Sequence, residues 1–145
     1  MKRILAILIL IASPAVADDT KKLAMTEGQW EISGEVTMEG RGGVQQSGPA
    51  QPMKLCLTRK SPVPVDPKGD PKGMTCTKKH TVTASDVAWT ASCEGKSSSS
   101  TGTGTVTYAD KTFSGSSEST VKIKGGADIK ISMKLSGKYL GACPK

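Results

Sequence analysis

Residues 75–94 read TCTKKHTVTASDVAWTASCE, and the fold is decided by how this stretch pairs with itself. Apolar and polar residues alternate on both sides of a short polar centre, which is the pattern of a β-hairpin with one buried face. A two-residue loop at Ala84-Ser85 sets Thr83 opposite Asp86. Counting outward, Val82 then faces Val87, His80 faces Trp89, and Cys76 faces Cys93. From this turn, Cys76 and Cys93 fall at a non-hydrogen-bonded position, where opposed side chains stand closest. The register therefore predicts a cross-strand Cys76–Cys93 disulfide. Only two other cysteines exist, so Cys56 and Cys143 are left to pair and tie the C-terminus to an early strand. An even cysteine count favours disulfides over a metal site. With a single histidine and no C-x-x-C spacing, metal ligation has little to build on.

Moving outward from the hairpin, the same period recurs. Trp30, Ile32, Gly34, Val36 and Met38 alternate with polar residues in a first strand, and Met53, Leu55 and Leu57 mark a second. Glu39 to Ala50 is glycine-rich and reads as a long mobile loop. Ser61 to Gly73 carries four prolines and reads as an extended surface loop. Glu94 to Gly102, rich in Ser, Gly and Lys, reads as another loop. Thr103–Tyr108 and Thr112–Ile123 form a hairpin turning at Asp110-Lys111, with Tyr108 opposite Phe113 and Val106 opposite Gly115. For the last hairpin a three-residue loop, Gly125-Gly126-Ala127, keeps the apolar faces together. It sets Ile123 opposite Ile129, Val121 opposite Ile131 and Phe113 opposite Tyr139. No segment holds a helical period. The expected fold is all-β, an antiparallel meander forming a curved sheet, a small open barrel or a sandwich, with two disulfides.

Length and composition agree with a thin fold. The chain has 145 residues. Met1-Lys2-Arg3, the nine apolar residues Ile4–Ala12, Pro14 and the small-x-small Ala15-Val16-Ala17 form the layout of a cleaved secretory signal. Nine residues cannot span a bilayer. The expected layout is thus a signal peptide over 1–17 and a single β domain over 18–145, exported and periplasmic, with no transmembrane span. Only five residues are aromatic: Trp30, Trp89, Tyr108, Phe113 and Tyr139. A large dry core is excluded, and a multi-domain enzyme with it.

The order of the marks resembles a known family. These are Gly28-x-Trp30-Glu31, Cys56-Leu57-Thr58, Cys76, Trp89 with Cys93, Gly-Thr-Gly-Thr-Val before Tyr108, and Gly137-Lys138-Tyr139-Leu140-Gly141-Ala142-Cys143. Together they resemble the exported bacterial family called domain of unknown function 3617, from about Glu27 to Cys143. The resemblance implies a small periplasmic β domain and supplies no reaction, substrate or catalytic residue. Where the family usually continues into proline and acidic helix formers, this chain has Arg59-Lys60-Ser61-Pro62, which disfavours a helix.

No catalytic constellation is legible. Gly115-Ser116-Ser117-Glu118 lacks the second glycine of a nucleophile elbow, and His80 has no acid placed to orient it. Glu31 and Glu35 stand about 13 Å apart along one strand, too far for either glycosidase geometry. Gly102-Thr103-Gly104-Thr105 lacks the Lys-Ser/Thr and the helix of a phosphate loop. The methionines do not cluster as copper ligands. No enzyme activity, cofactor or metal is expected.

Charge points to partners. Without Lys2 and Arg3 the chain carries +5. Lys122, Lys130, Lys134 and Lys138 fall on the polar face of the final hairpin, where the three-residue loop sets Lys122 opposite Lys130 and Glu118 opposite Lys134. Such a face could hold an anion. Nucleic acid is a poor partner for an exported chain with no aromatic residues interleaved among its basic ones. The leading expectation is a binding module for a small apolar or amphiphilic ligand, or an envelope partner. Its wall would be Trp30, Ile32, Met38, Trp89, Tyr108, Phe113, Ile131, Met133 and Tyr139. The alternatives are a basic module docking on anionic envelope polymers or lipid headgroups through the lysine face, and an enzyme without a recognisable motif.

Overall fold

In the computed structural model, which describes residues 23–65 and 72–145, the chain forms one antiparallel sheet. The strands are β1 (Gly28–Glu39), β2 (Gln45–Pro49), β3 (Met53–Leu57), β4 (Met74–Val82), β5 (Asp86–Gly95), β6 (Ser98–Ala109), β7 (Thr112–Ile123) and β8 (Ile129–Gly141). Their order is β2-β1-β8-β7-β6-β5-β4, with β3 also on β1. β8 runs the length of β1 on one side. On its other side β2 pairs with Glu35–Glu39 and β3 with Gly28–Ile32. The sheet is open rather than closed, and among the described residues there is no second sheet to make a sandwich. The expected leader and its cleavage site lie outside the described residues, as does 66–71 of the proline-rich loop.

The 75–94 hairpin forms as its alternation requires. Cys76 faces Cys93, His80 faces Trp89 and Val82 faces Val87. Thr83 N–H donates to the Asp86 carbonyl (2.9 Å), fixing the Ala84-Ser85 turn. Both disulfides are those expected, Cys76–Cys93 with Cα atoms 4.0 Å apart and Cys56–Cys143 at 5.7 Å. The short Cα separation fits a non-hydrogen-bonded pair. Asp86 anchors this turn by accepting hydroxyl hydrogen bonds from Thr107 (2.6 Å), Ser85 (2.9 Å) and Thr83 (3.3 Å). These bonds, Thr107 first, hold its carboxyl below the usual carboxylate range. A lowered folded-state pKa contributes stability above the unfolded value and loses it as pH falls through the folded one. The stability gap between the wild type and Asp86→Asn should therefore hold from neutral pH down to about pH 5 and narrow as pH falls through and below the ordinary carboxylate pKa of about 3.9. Urea melts across that range read it directly.

Four expectations change. Glu39 to Ala50 is not a loop throughout: the chain turns at Arg41–Gly43, with Gly42 and Gly43 at φ of 75° and 74°, and returns as β2. Glu94 to Gly102 is mostly strand, because β5 runs to Gly95 and β6 starts at Ser98. Its serines alternate faces on paired backbone, which composition alone did not reveal. Pro62 and Pro64 are buried rather than on the surface. They cross the apolar face, where the Tyr108 hydroxyl donates to the Pro62 carbonyl (2.5 Å). This burial pushes the Tyr108 phenol up.

The last correction is register. β7 and β8 pair with Val121 opposite Ile129, Ser117 opposite Met133 and Phe113 opposite Gly137, two residues from the expected alignment. The connection is therefore five residues, Lys124–Asp128, with Gly125 at φ 76°. A shift of two keeps every side chain on its face, so alternation could not separate the two alignments. Packing does: Phe113 lies over the bare backbone of Gly137, where any Cβ would strike its ring. Trp89 lies over Gly104 in the same way.

The core sits at one end of the sheet. Trp30, Tyr108 and Phe113 are buried and meet ring to ring at centroid distances of 5.3–5.6 Å, with Tyr139 6.0 Å from Trp30. The N-terminal segment closes this end. Leu23 and Met25 are buried under it, and Ala24 N–H donates to the Ala84 carbonyl (2.7 Å) while Asp110 N–H donates to the Ala24 carbonyl (3.0 Å). Asp110 itself turns the chain with φ of 56°, a conformation that Asp tolerates. Arg59 donates to the Leu23 and Met25 carbonyls (3.3 and 3.1 Å) and Trp30 Nε1–H to the Thr26 carbonyl (3.0 Å). Among the described residues no helix follows Cys56-Leu57-Thr58; Thr58 and Ser61 make a tight bridge instead.

Candidate functional site

The far end of the same apolar face is not filled. Its side chains follow from register. One cross-strand row runs Lys78, Ala91, Gly102, Ser119, Ile131 and Met38. The next runs His80, Trp89, Gly104, Ser117, Met133 and Val36. β5, β6 and β7 thus contribute mostly small residues between larger ones on β4 and on β8 with β1. The result is a cavity of about 430 Å³. Trp89, Ala91, Gly102, Ser117 and Ser119 form its floor, and Val63 and Val65 of the proline segment line it from the other side. Lys78 and His80 stand at the β4 rim on this face, while Lys79 and Glu118, which also touch the lining, belong to the alternate, outer-face row with Thr90 and Thr103. The volume lies within the range of small-molecule sites. Trp89 is nearly buried at 8% exposure, whereas His80 opposite it is exposed.

The expected ligand-binding residues separate into three places. Trp30, Tyr108, Phe113 and Tyr139 belong to the packed aromatic cluster. Trp89 lines the cavity. Met133 and Ile131 lie half-buried beyond it, and Met38 is exposed (43%) at the end of its row. Ala91, Gly102, Ser117 and Ser119 were missed by sequence reasoning because small residues carry no apolar signal. Their shared rows became readable only once the registers of β5 to β8 were fixed.

The lysine face is charge-matched. Lys138, Lys134 and Lys130 on β8 stand directly opposite Glu31, Glu35 and Glu39 on β1. Lys138 Nζ lies 3.0 Å from Glu31 Oε1. Lys130 faces Thr120 on its other side rather than Lys122, and Glu118 faces Ser132 rather than Lys134. Lys122 lies across from Ser99. The expected like-charge pair therefore does not form. The outer face carries a second, open hollow of about 510 Å³, lined by Thr77, Thr90, Thr101, Thr103 and Thr120 with Lys79 and Glu118. Among the described residues, no three of His, Cys, Asp and Glu gather where they could hold a metal ion. Among the same residues, no helix is long and apolar enough to cross a membrane.

Taken together, these features define a disulfide-tied open β-sheet domain, packed at one end and hollow at the other. The family model described as protein of unknown function (DUF3617) matches residues 25–143, and the chain belongs to that family. No curated protein and no solved structure matches it. The two disulfides fit an oxidising, extracytoplasmic setting.

Proposed function

We propose that this protein is a non-enzymatic, periplasmic binding module that holds a small apolar or amphiphilic molecule against the inner face of its sheet. The observation that carries this reading is the cavity of about 430 Å³ on the apolar face, beside Trp89 and under Val63 and Val65. A face that fills one end with interlocked rings leaves the other without side chains large enough to fill it. Apolar surface left open in this way gains about 25 cal/mol per Å² when an apolar ligand covers it. Ser117 and Ser119 supply hydroxyls that can orient a polar group without closing the space. The lysine-face alternative is disfavoured by the glutamates of β1 that oppose its lysines.

The test uses N-phenylnaphthylamine, a neutral apolar fluorophore, with the mature protein. Saturable one-site enhancement of its emission is expected. Ala91→Leu combined with Ser119→Leu should fill the floor and abolish that enhancement, while circular dichroism and the thermal midpoint show the sheet intact. A wild type that gives no saturable enhancement, or a folded filled variant that binds as well as the wild type, would remove the reading.

A further inference from the structure

We propose that the turn end of the sheet, the end away from the aromatic core, docks on an anionic lipid bilayer. This docking is separate from the proposed reading of the inner cavity and does not depend on what that cavity holds. Antiparallel pairing brings the connections at 40–44, 96–97 and 124–128 to one end, with the start of β4 beside them. Lys124 N–H donates to the Ser97 carbonyl (2.9 Å) and holds two of these turns together. At the core end, Leu23 and Met25 are buried against the aromatic cluster. At the turn end, large apolar side chains stand in solvent instead: Val44 is 63% exposed, Met38 43% and Ile123 42%. Met38 and Ile123 lie on the inner face near the ends of β1 and β7, two interstrand steps or about 10 Å apart. Val44 leads into β2, on the other side of β1. An exposed apolar group rimmed by charge marks a docking surface.

Charge identifies the surface. Arg41, Lys72, Lys96, Lys122 and Lys124 are all exposed at this end. Among the described residues none of the five is held in an ion pair. Lys130 and Glu39 stand opposite one another and cancel, which leaves Glu94 and Asp128 as the acids of this end. Cations therefore outnumber acids around the apolar tips. Three tips fall far short of the roughly 800 Å² per partner that a stable protein interface needs. They suit a fluid surface into which short turns sink by about 5–10 Å, with the lysine stems reaching lipid phosphates around them. Gly40, Gly42, Gly43 and Gly125 project into open space, where an added Cβ would touch nothing within 4 Å. The backbone of both turns is thus clear of the sheet and free to meet a flat surface.

The experiment is co-sedimentation of the mature protein with phosphatidylcholine vesicles, with and without phosphatidylglycerol as about one-third of the lipid. Partition is expected onto the phosphatidylglycerol vesicles and not onto phosphatidylcholine alone, and it should weaken as salt rises. Arg41→Gln/Lys124→Gln should weaken it about thirtyfold, the usual effect of two basic contacts beside an anionic leaflet. Val44→Ser/Ile123→Ser should weaken it about tenfold through lost apolar burial. All four positions are exposed, so both variants should keep the wild-type thermal midpoint. Lys134→Gln/Lys138→Gln, on the glutamate-matched outer face, should bind as the wild type does. No partition onto either vesicle, equal partition onto both, or a folded Val44→Ser/Ile123→Ser variant that partitions as well as the wild type would overturn the docking surface. So would an equal loss in Lys134→Gln/Lys138→Gln, which would move the contact to the outer face.

Discussion

Replacing Cys56 and Cys143 with serine is expected to remove about 4–5 kcal/mol of stability, more than loss of the other bridge. The bond closes a separation of 87 residues, against 17 for Cys76–Cys93, which in the loop-entropy model is worth about 3 kcal/mol. The long bridge also joins β3, a five-residue edge strand, to the segment just after β8. Both elements flank β1, so the loss would loosen the edge that carries Trp30. Guanidinium melts of Cys56→Ser/Cys143→Ser and Cys76→Ser/Cys93→Ser should rank in that order. The reverse order would mean that the hairpin, not the closure, holds the sheet.

Trp30→Ala is expected to cost about 3–5 kcal/mol, the usual penalty for emptying a buried aromatic site. Trp30 is fully buried, touches the rings of Tyr108, Phe113 and Tyr139, and donates its indole N–H to Thr26. In a core with only five aromatic rings along the whole chain, little else can collapse into the void. Trp89→Ala should behave differently. Trp89 lies over Gly104 on the cavity floor and outside that ring cluster. Its loss should cost less stability and more binding. Chemical melts and probe titrations of the two variants separate the packed end of the face from the hollow one.

Much of this division was legible in the sequence, in proportion to how tightly local chemistry fixes pairing. The 75–94 hairpin could be aligned residue by residue, because a two-residue turn leaves one register and the cysteines mark it. The Tyr108–Phe113 hairpin followed from the Asp110-Lys111 turn for the same reason. The Lys124–Asp128 connection could not be resolved, because alignments two residues apart bury the same face. What distinguishes them is Phe113 resting on Gly137, a contact between residues 24 positions apart. The Glu31, Glu35 and Glu39 ladder against the β8 lysines was hidden for a separate reason: β1 and β8 are about a hundred residues apart, and no local turn sets them side by side. The cavity was illegible for a deeper reason. It is made by what Gly102, Ser117 and Ser119 do not fill, and the absence of bulk has no pattern along a chain.

The most direct test of the account is an amide-resolved magnetic resonance titration of the mature protein with laurate. A ligand in the inner cavity should shift Ala91, Gly102, Ser117 and Ser119 together with the Trp89 indole N–H, and leave Ser33, Ser136 and Thr107 on the outer face still. Shifts confined to the outer face, or none at saturating laurate, would contradict it.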